Sequence, residues 1–447
     1  MNKLVQIEQT LADSRLQEAV ASATGRMADG RRQAVSQLGD YQDLRRRANG
    51  LKRHTIEHLD SYLEELERNV LARGGKVIWA NTAAEACDFV TGLARERSAK
   101  LVVKSKSMTT EEIHLNDHLE RAGIEAVETD LGEYIIQLAG EKPYHIIAPA
   151  LHKTREQVAE VLDADRQSTA EQLTALARAR LREKFLAAGI GITGANFLVA
   201  DSGAVVVVEN EGNARLSSSA PPVHIAIAGI EKVIPRAQDL AIFLKLLARS
   251  ATGQKLSVYT SFLAGPRREG EAHGPGEFYL VLVDNGRTRV LADRGKRQSL
   301  YCIRCGACLN ACPVYRKIGG YSYPWVYSGP IGKILTPQFM PDSERSRWLP
   351  FASSLCGACG EVCPVKIEIP KILLQLRREL AANGLEKTAF RLFALVMRHP
   401  RIYEKFGWVR RLKRLPAAGP LKAWLSQRDL PEVPRRSFRE EWKRRKA

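Results

Sequence analysis

The sequence predicts an α/β fold on a central sheet, preceded by a helical arm and followed by a cysteine-rich helical module and a basic helical C-terminus. Three patterns lead to it. Between residues 74 and 290, apolar runs of strand length alternate with stretches of helical period. Residues 1–70 carry helical spacing only. Seven of the eight cysteines crowd between Cys302 and Cys363, where the strand patterns stop. A chain of 447 residues exceeds one ordinary core. These patterns divide it at 1–70, 71–290, 291–370 and 371–447.

The arm is rich in Ala, Gln, Glu, Arg and Leu, and Ile56, Leu59, Leu63, Leu66 and Val70 fall on one helical face. Next come a strand at 76–80 (KVIWA), a helix at 82–97 and a strand at 100–105 (KLVVKS). A helix at 109–122 follows the capping hydroxyl of Thr109 or Thr110, then a strand at 124–129 (IEAVET). Residues 145–150 (HIIAPA) are a short apolar run, and one long helix is expected over 154–188. Four further strands read at 196–200, 204–210, 223–230 and 278–285. AVVVV is apolar on both faces of a pleated strand, so it lies buried between layers in a largely parallel or mixed sheet. Cys87 sits on the apolar side of its helix and reads as core.

Composition excludes several classes. Hydrophobic content of 45% with 26% charged residues is globular. No apolar run approaches the ~18–20 residues that span a bilayer. The first residues, MNKLVQIEQTLADSRLQ, lack the apolar core of a secretory signal. A cytoplasmic location is expected, with contact to the inner membrane face open. The net charge of +18 is uneven: residues 371–447 hold 21 basic and 7 acidic side chains, while the body is close to neutral. Such a tail suits a partner subunit, an anionic membrane face or plain solvent. Trp408, Arg410, Arg411, Trp424, Trp442 and Arg444 mix aromatics with cations, yet no nucleic-acid-binding motif frames them.

The cysteines carry the strongest signal. Cys302-x2-Cys305-x2-Cys308-x3-Cys312-Pro313 has the bacterial ferredoxin spacing for a [4Fe–4S] cluster. Short spacers wrap three thiolates around one cluster face, and soft sulfur donors hold iron through its oxidation levels. Zinc sites pair C-x2-C knuckles instead. A second run, Ser353-x2-Cys356-x2-Cys359-x3-Cys363-Pro364, repeats the template with serine first. In two-cluster proteins the fourth cysteine of each run serves the other cluster. On that general pattern, cluster one takes Cys302, Cys305, Cys308 and Cys363. Cluster two takes Cys312, Cys356 and Cys359, with Ser353 in the fourth-ligand position. Three arrangements remain open there: a serine alkoxide, an external ligand or water, or a labile [4Fe–4S] or [3Fe–4S] cluster. A hard, neutral hydroxyl makes the first the weakest. The 43 residues between Cys312 and Cys356 exceed the gap of a compact ferredoxin and match the helical two-cluster module of respiratory iron–sulfur subunits. Tyr321, Tyr323, Trp325 and Tyr327 lie in this insertion, where aromatics exclude water or simply pack the loop.

The chain resembles the lactate utilization protein B family over nearly its whole length. Beyond the cysteine runs, SKSMTTEEIHLN (105–116), ETDLGEYIIQLAGEKPYHIIAPALHKTRE (128–156) and GITGANFLVADSGAVVVVENEGNARLSSSAPPVHIAIAGIEKVIP (191–235) carry the likeness. The resemblance implies a LUD domain related to ribose-phosphate isomerases and CoA-transferases, a ferredoxin-type module and a family-specific helical C-terminus. It implies an electron-transfer subunit for oxidation of L-lactate to pyruvate, with a cysteine-rich subunit and a small LUD-domain subunit as partners. Another 2-hydroxy acid is the alternative donor, and an iron–sulfur nucleic-acid-binding protein a remoter one.

Lactate oxidation removes two electrons from one carbon, whereas clusters pass electrons singly, so a flavin or nicotinamide normally mediates. No G-x-G-x-x-G opens a helix after a strand, and no Walker lysine motif is present. The chain thus reads as a relay, with no catalytic residue assigned. A ligand loop is expected at Glu209, Asn210, Glu211, Asn213 and Arg215, after the AVVVV strand, because α/β sheets bind ligands beyond strand carboxyl ends. His145 and His224 are acid–base candidates there. Lys104, Ser105, Lys106 and Ser107 are anion-binding candidates.

Overall fold

A computed structural model of the chain describes residues 3–380, 385–405, 436 and 438–446. It divides into two compact units, 1–378 and 379–447. The second contains helices Leu385–Arg398, Pro400–Lys405 and Phe438–Lys446. Trp408, Arg410, Arg411 and Trp424 lie outside the described residues. Among the described residues no helix is long and apolar enough to cross a membrane.

The first unit opens with four helices: α1 Lys3–Ala12, α2 Ser14–Ser36, α3 Tyr41–Glu57 and α4 Leu59–Ala72. Ile56, Leu59, Leu63, Leu66 and Val70 all face inward and are buried. Ten strands follow: β1 Lys76–Ala80, β2 Leu101–Lys104, β3 Glu125–Glu128, β4 Ile190–Gly194, β5 Phe197–Val199, β6 Ala204–Glu209, β7 Val223–Gly229, β8 Val233–Ile234, β9 Tyr259–Leu263 and β10 Glu277–Val283. Six of them form a parallel sheet in the order β1-β10-β7-β4-β2-β3. The other four form a separate sheet, β8-β5-β6-β9, in which β6 pairs antiparallel with both neighbours. The expected largely parallel or mixed central sheet is the six-stranded parallel one, and the AVVVV strand lies outside it, in the small sheet.

Strand alternation sorts the core into layers. Ile225 and Ile227 of β7 face the helix Ala83–Glu96, where Cys87 is buried and its thiol is pushed up to about 11 by burial. Ala226 and Ala228 face the opposite way, into a core shared with β5, β6, α3, α4 and the cysteine module. Cys305, Cys312, Cys359 and Cys363 belong to that same continuous core.

Several expectations change at helix boundaries. The long helix splits into Arg155–Val161 and Ala170–Ala187, because Thr154/Gln157 and Thr169/Gln172 each build a capping box and Asp163 turns at φ +50° between them. The 109–122 helix breaks at His114, φ +55°, into Met108–Glu112 and Leu115–Arg121. HIIAPA forms turns. β4, β9 and the helix Ala237–Ala251 have no counterpart among the expected elements. β4 reads weakly because it needs glycine: a Cβ on Gly191 would sit 1.6 Å from the Ser217 carbonyl oxygen.

Candidate metal centre

The two cysteine runs fold as copies of one turn. In the first, Arg304 (φ +60°) and Gly306 (φ +71°) adopt left-handed backbone, and the short helix Ala307–Ala311 leads to Cys312. In the second, Leu355 (φ +56°) and Gly357 (φ +88°) do the same before the helix Ala358–Val362 and Cys363. Left-handed turns on a non-glycine residue are costly and point to a constraint at the site. The backbone N–H of Arg304 donates to Cys302 Sγ at 3.4 Å, and that of Leu355 donates to Ser353 Oγ at 3.2 Å. Ser353 therefore occupies the position equivalent to Cys302 and keeps its turn, but presents oxygen in place of sulfur.

The helices Ala307–Ala311 and Ala358–Val362 pack together, and this interleaves the runs. Cys302, Cys305, Cys308 and Cys363 line one cavity, with Ile146, Ile303, Ile331, Val365, Ile367 and Ile369 as its apolar wall. Burial pushes the Cys305 thiol up strongly, as do the nearby Cys363 and Cys302. Cys363 rises to about 11, through burial and then Cys302. Cys359 also rises to about 11, through burial and then Cys312 and Cys356. Cys356 is exposed, and N–H donors around its sulfur lower its thiol. Two groups emerge: four thiols around one cavity, and three at the other site with Ser353 beside them in sequence.

The donors fit iron–sulfur ligation. The thiols are soft, gathered and walled by hydrocarbon. Backbone N–H groups of Tyr315 and Ile367 donate to Cys312 Sγ at 3.4 Å and Cys363 Sγ at 3.3 Å. Such N–H···S bonds stabilise negative charge on ligating sulfur. Among the described residues, no three His, Cys, Asp or Glu side chains are set to hold one metal ion. A cluster instead spreads its thiolates over several irons.

The rest of the unit clamps the module. Arg45 of α3 is buried and donates to the Cys363 carbonyl at 2.9 and 2.8 Å and to the Gly360 carbonyl at 3.2 Å. Asn49 donates to the Val365 carbonyl at 2.7 Å. From the α/β side comes a charge network. Arg287 binds Glu112 through two bonds of 2.8 Å and Glu231 at 2.5 Å, and all three side chains are fully buried. Arg304 reaches Glu231 at 3.2 Å and lies over the Tyr327 ring at 4.6 Å, while the Tyr327 hydroxyl donates to Glu112. Burial alone would raise Glu231; Arg287 and Arg304 hold it down to about 2. Lys333, in the middle of the helix Gly329–Phe339, donates to Cys312 Sγ at 3.7 Å. The sequence reading missed these residues. A lysine inside the apolar run PIGKILTPQF was the available cue.

The other candidates are engaged elsewhere. Glu209 caps the helix Asn213–Ser219, accepting from the N–H groups of Ala214 at 2.7 Å and Arg215 at 2.9 Å. Asn210 bonds Gln254 and accepts from Val258, Glu211 accepts from the Asn210 N–H, and Arg215 stacks on Tyr259. With its amide oriented to suit its neighbours, Asn213 donates to Glu209 and accepts from Thr129. The loop's polar groups thus serve one another. His224 bonds Thr193 at 2.9 Å inside the core, and burial lowers it to about 3. His145 accepts from the Ile147 N–H at 3.0 Å and meets Asn310 at 3.0 Å. Burial lowers it to about 3 as well, so both imidazoles are neutral locks. Lys104 pairs with Glu128 at 2.6 Å, and Lys106 lies 3.3 Å from Glu133. Ser105 and Ser107 are buried, and Ser107 caps the helix Met108–Glu112. In the insertion, Tyr321 donates to Glu141, Tyr323 is buried near Cys312, and Trp325 packs edge-on to Tyr327.

Comparison with known proteins agrees with this architecture. The family description "LUD domain" matches residues 63–283, "4Fe-4S dicluster domain" residues 298–367, and "Lactate utilisation protein B, C-terminal" residues 371–447. Lactate utilization protein B of Shouchella clausii is 43% identical over 98% of this chain and 96% of its own length. The protein of the same name from Bacillus velezensis is 44% identical over 96% and 93%. An Escherichia coli protein named "Uncharacterized electron transport protein YkgF" is 42% identical over 99% and 96%. With identity at this level along the full length of both partners, the chain belongs to the lactate utilization protein B family.

Proposed function

We propose that this chain is the iron–sulfur electron-transfer subunit of a complex that oxidises L-lactate to pyruvate and supports growth on lactate. The names of its relatives supply the substrate and the electron-transport role. The observation that carries the reading is the interleaving of the runs: Cys363 joins Cys302, Cys305 and Cys308 at one cavity, while Cys312 lies with Cys356 and Cys359. We assign cluster one to the first four and cluster two to the last three. Cluster one is [4Fe–4S]. Cluster two is a [4Fe–4S] made labile by Ser353, or a [3Fe–4S].

When bound, such clusters supply one-electron transfer. The chain's own residues gather the thiolates, donate N–H groups to their sulfurs and wall off water with isoleucine and valine. His145 and His224, the acid–base candidates, are buried and hydrogen-bonded, and burial keeps both imidazoles neutral. We propose a cysteine-rich subunit and a small LUD-domain subunit as the partners that remove the hydride equivalent and feed its electrons to this chain.

The test is anaerobic purification with iron and sulfide quantification, EPR, and addition of lactate. A brown protein whose signals respond to lactate only with the partner subunits present is expected. A colourless or zinc-loaded preparation refutes the ligand assignment. Reduction of the isolated chain by lactate refutes the relay role.

A further inference from the structure

Buried cations stand beside both cysteine runs: Arg304, Lys52 and Lys232 act on Cys302, and Lys333 lies against Cys312. Arg304 lies between Cys302 and Cys305, and its guanidinium has a carboxylate partner in Glu231 at 3.2 Å. Lys333 is 0% exposed, at the centre of a helix whose residues are all buried. Its Nζ donates to Cys312 Sγ at 3.7 Å and lies 5.9 Å from the centroid of the Tyr323 ring. Among the described residues no carboxylate pairs with Lys333. The groups facing it are the sulfurs of Cys312, Cys359 and Cys308, which carry negative charge once they bind iron. An ammonium buried without a counter-charge carries a penalty of several kcal/mol. Leucine or methionine would fill the same volume without that penalty. The lysine makes physical sense only where a lasting negative charge faces it, as iron-bound thiolates provide.

We infer that Lys333 is a positioning residue that sets the reduction potential of the cluster held by Cys312. The inference rests on the ligand assignment proposed above. On one-electron reduction a cluster becomes more negative by one charge. A fixed positive charge beside it, in a low-dielectric interior, stabilises the reduced state more than the oxidised one. The hydrogen bond to sulfur acts in the same direction. Lys333 thus favours residence of the electron at the Cys312, Cys356 and Cys359 site over what the same site would show without it.

The experiment is a redox titration of the full-length, anaerobically purified chain, reduced stepwise with dithionite in the presence of mediators and read by EPR. Wild type is compared with Lys333→Met, which keeps the stem and removes the charge, and with Lys333→Arg, which keeps the charge. Iron and sulfide are quantified on each sample first. With Lys333→Met, one signal is expected to become at least about tenfold harder to reduce, a drop of about 59 mV for a one-electron couple. The other signal should stay near its wild-type potential, and Lys333→Arg should hold both. Unchanged potentials in Lys333→Met overturn the inference. So does an equal shift of both signals, or a fall in Lys333→Arg as large as in Lys333→Met. Wild-type protein without iron and sulfide overturns the ligand assignment instead, and that result appears before any titration.

Discussion

Replacing Arg287 by methionine tests the buried charge network that joins the α/β layers to the first cysteine run. Arg287 makes two bonds of 2.8 Å to Glu112, one of 2.5 Å to Glu231 and one of 3.0 Å to the Asp284 carbonyl. After Arg287→Met, Glu231 still has Arg304 at 3.2 Å. Glu112 keeps only neutral donors, the Tyr327 hydroxyl and the Asn285 amide at 2.7 Å. One fully buried carboxylate therefore loses its cation. Breaking a buried pair from one side costs about 3–5 kcal/mol. That is a large share of the ~5–15 kcal/mol that holds a typical protein folded. The folded-to-unfolded ratio should fall by more than about a hundredfold, at 1.36 kcal/mol per decade. The double variant Arg287→Met/Glu112→Gln removes both charges while its amide can still bond Tyr327 and Asn285. It should recover at least about 1 kcal/mol of the loss, within the range of coupling between contacting residues. The assay is urea unfolding of the cluster-loaded protein under anaerobic conditions, followed by tryptophan fluorescence, with the dependence on urea concentration unchanged. A loss below about 0.5 kcal/mol in the single variant, or a double variant no better than the single one, would refute the reasoning.

Three further outcomes follow from the same geometry. Glu231 is held at about 2, below its ordinary 4.5, so its contribution to stability is complete above pH 4.5 and fades as the pH falls toward 2. The difference in urea midpoint between wild type and Glu231→Gln should shrink as the pH falls below 4.5; a difference that grows on acidification below pH 4.5 would contradict this. Arg45→Met removes charged hydrogen bonds to the Cys363 and Gly360 carbonyls and should cost about 1.5–3 kcal/mol, with faster loss of visible absorbance in air. Ser353→Cys places a thiol in the turn equivalent to that of Cys302 and should raise iron per chain and slow oxidative bleaching; an unchanged iron content and EPR spectrum would show that the second site needs no fourth thiolate.

Legibility tracked the kind of signal involved. The cysteine runs were plain because their spacing is itself the geometry of the turn. The helix-facing strands of the parallel sheet were plain where side chains are large and apolar, as in VHIAIAGI. β4 escaped because close approach to Ser217 requires glycine, and glycine carries no pattern. The splitting of the 154–188 stretch was written in Thr169 and Gln172, a local capping signal that helical periodicity overrides when read first. At the expected ligand loop the structure shows a second use of the same polarity: Glu209 satisfies the N-terminal N–H groups of the helix Asn213–Ser219, which looks the same in sequence as polarity awaiting a ligand. Lys333 and Arg304 could not be ranked from sequence, since their meaning depends on which sulfur or carboxylate faces them.

Cys305, Cys312, Cys359 and Cys363 are packed into the same hydrophobic mass as α3, α4 and the AVVVV strand. Loss of the prosthetic groups therefore cannot stay local. Packing lost around these thiols would loosen the core that also supports the α/β layers, and the opened chain would be presented to proteases. The amount of this protein in a cell should then follow the supply of iron and sulfide after translation.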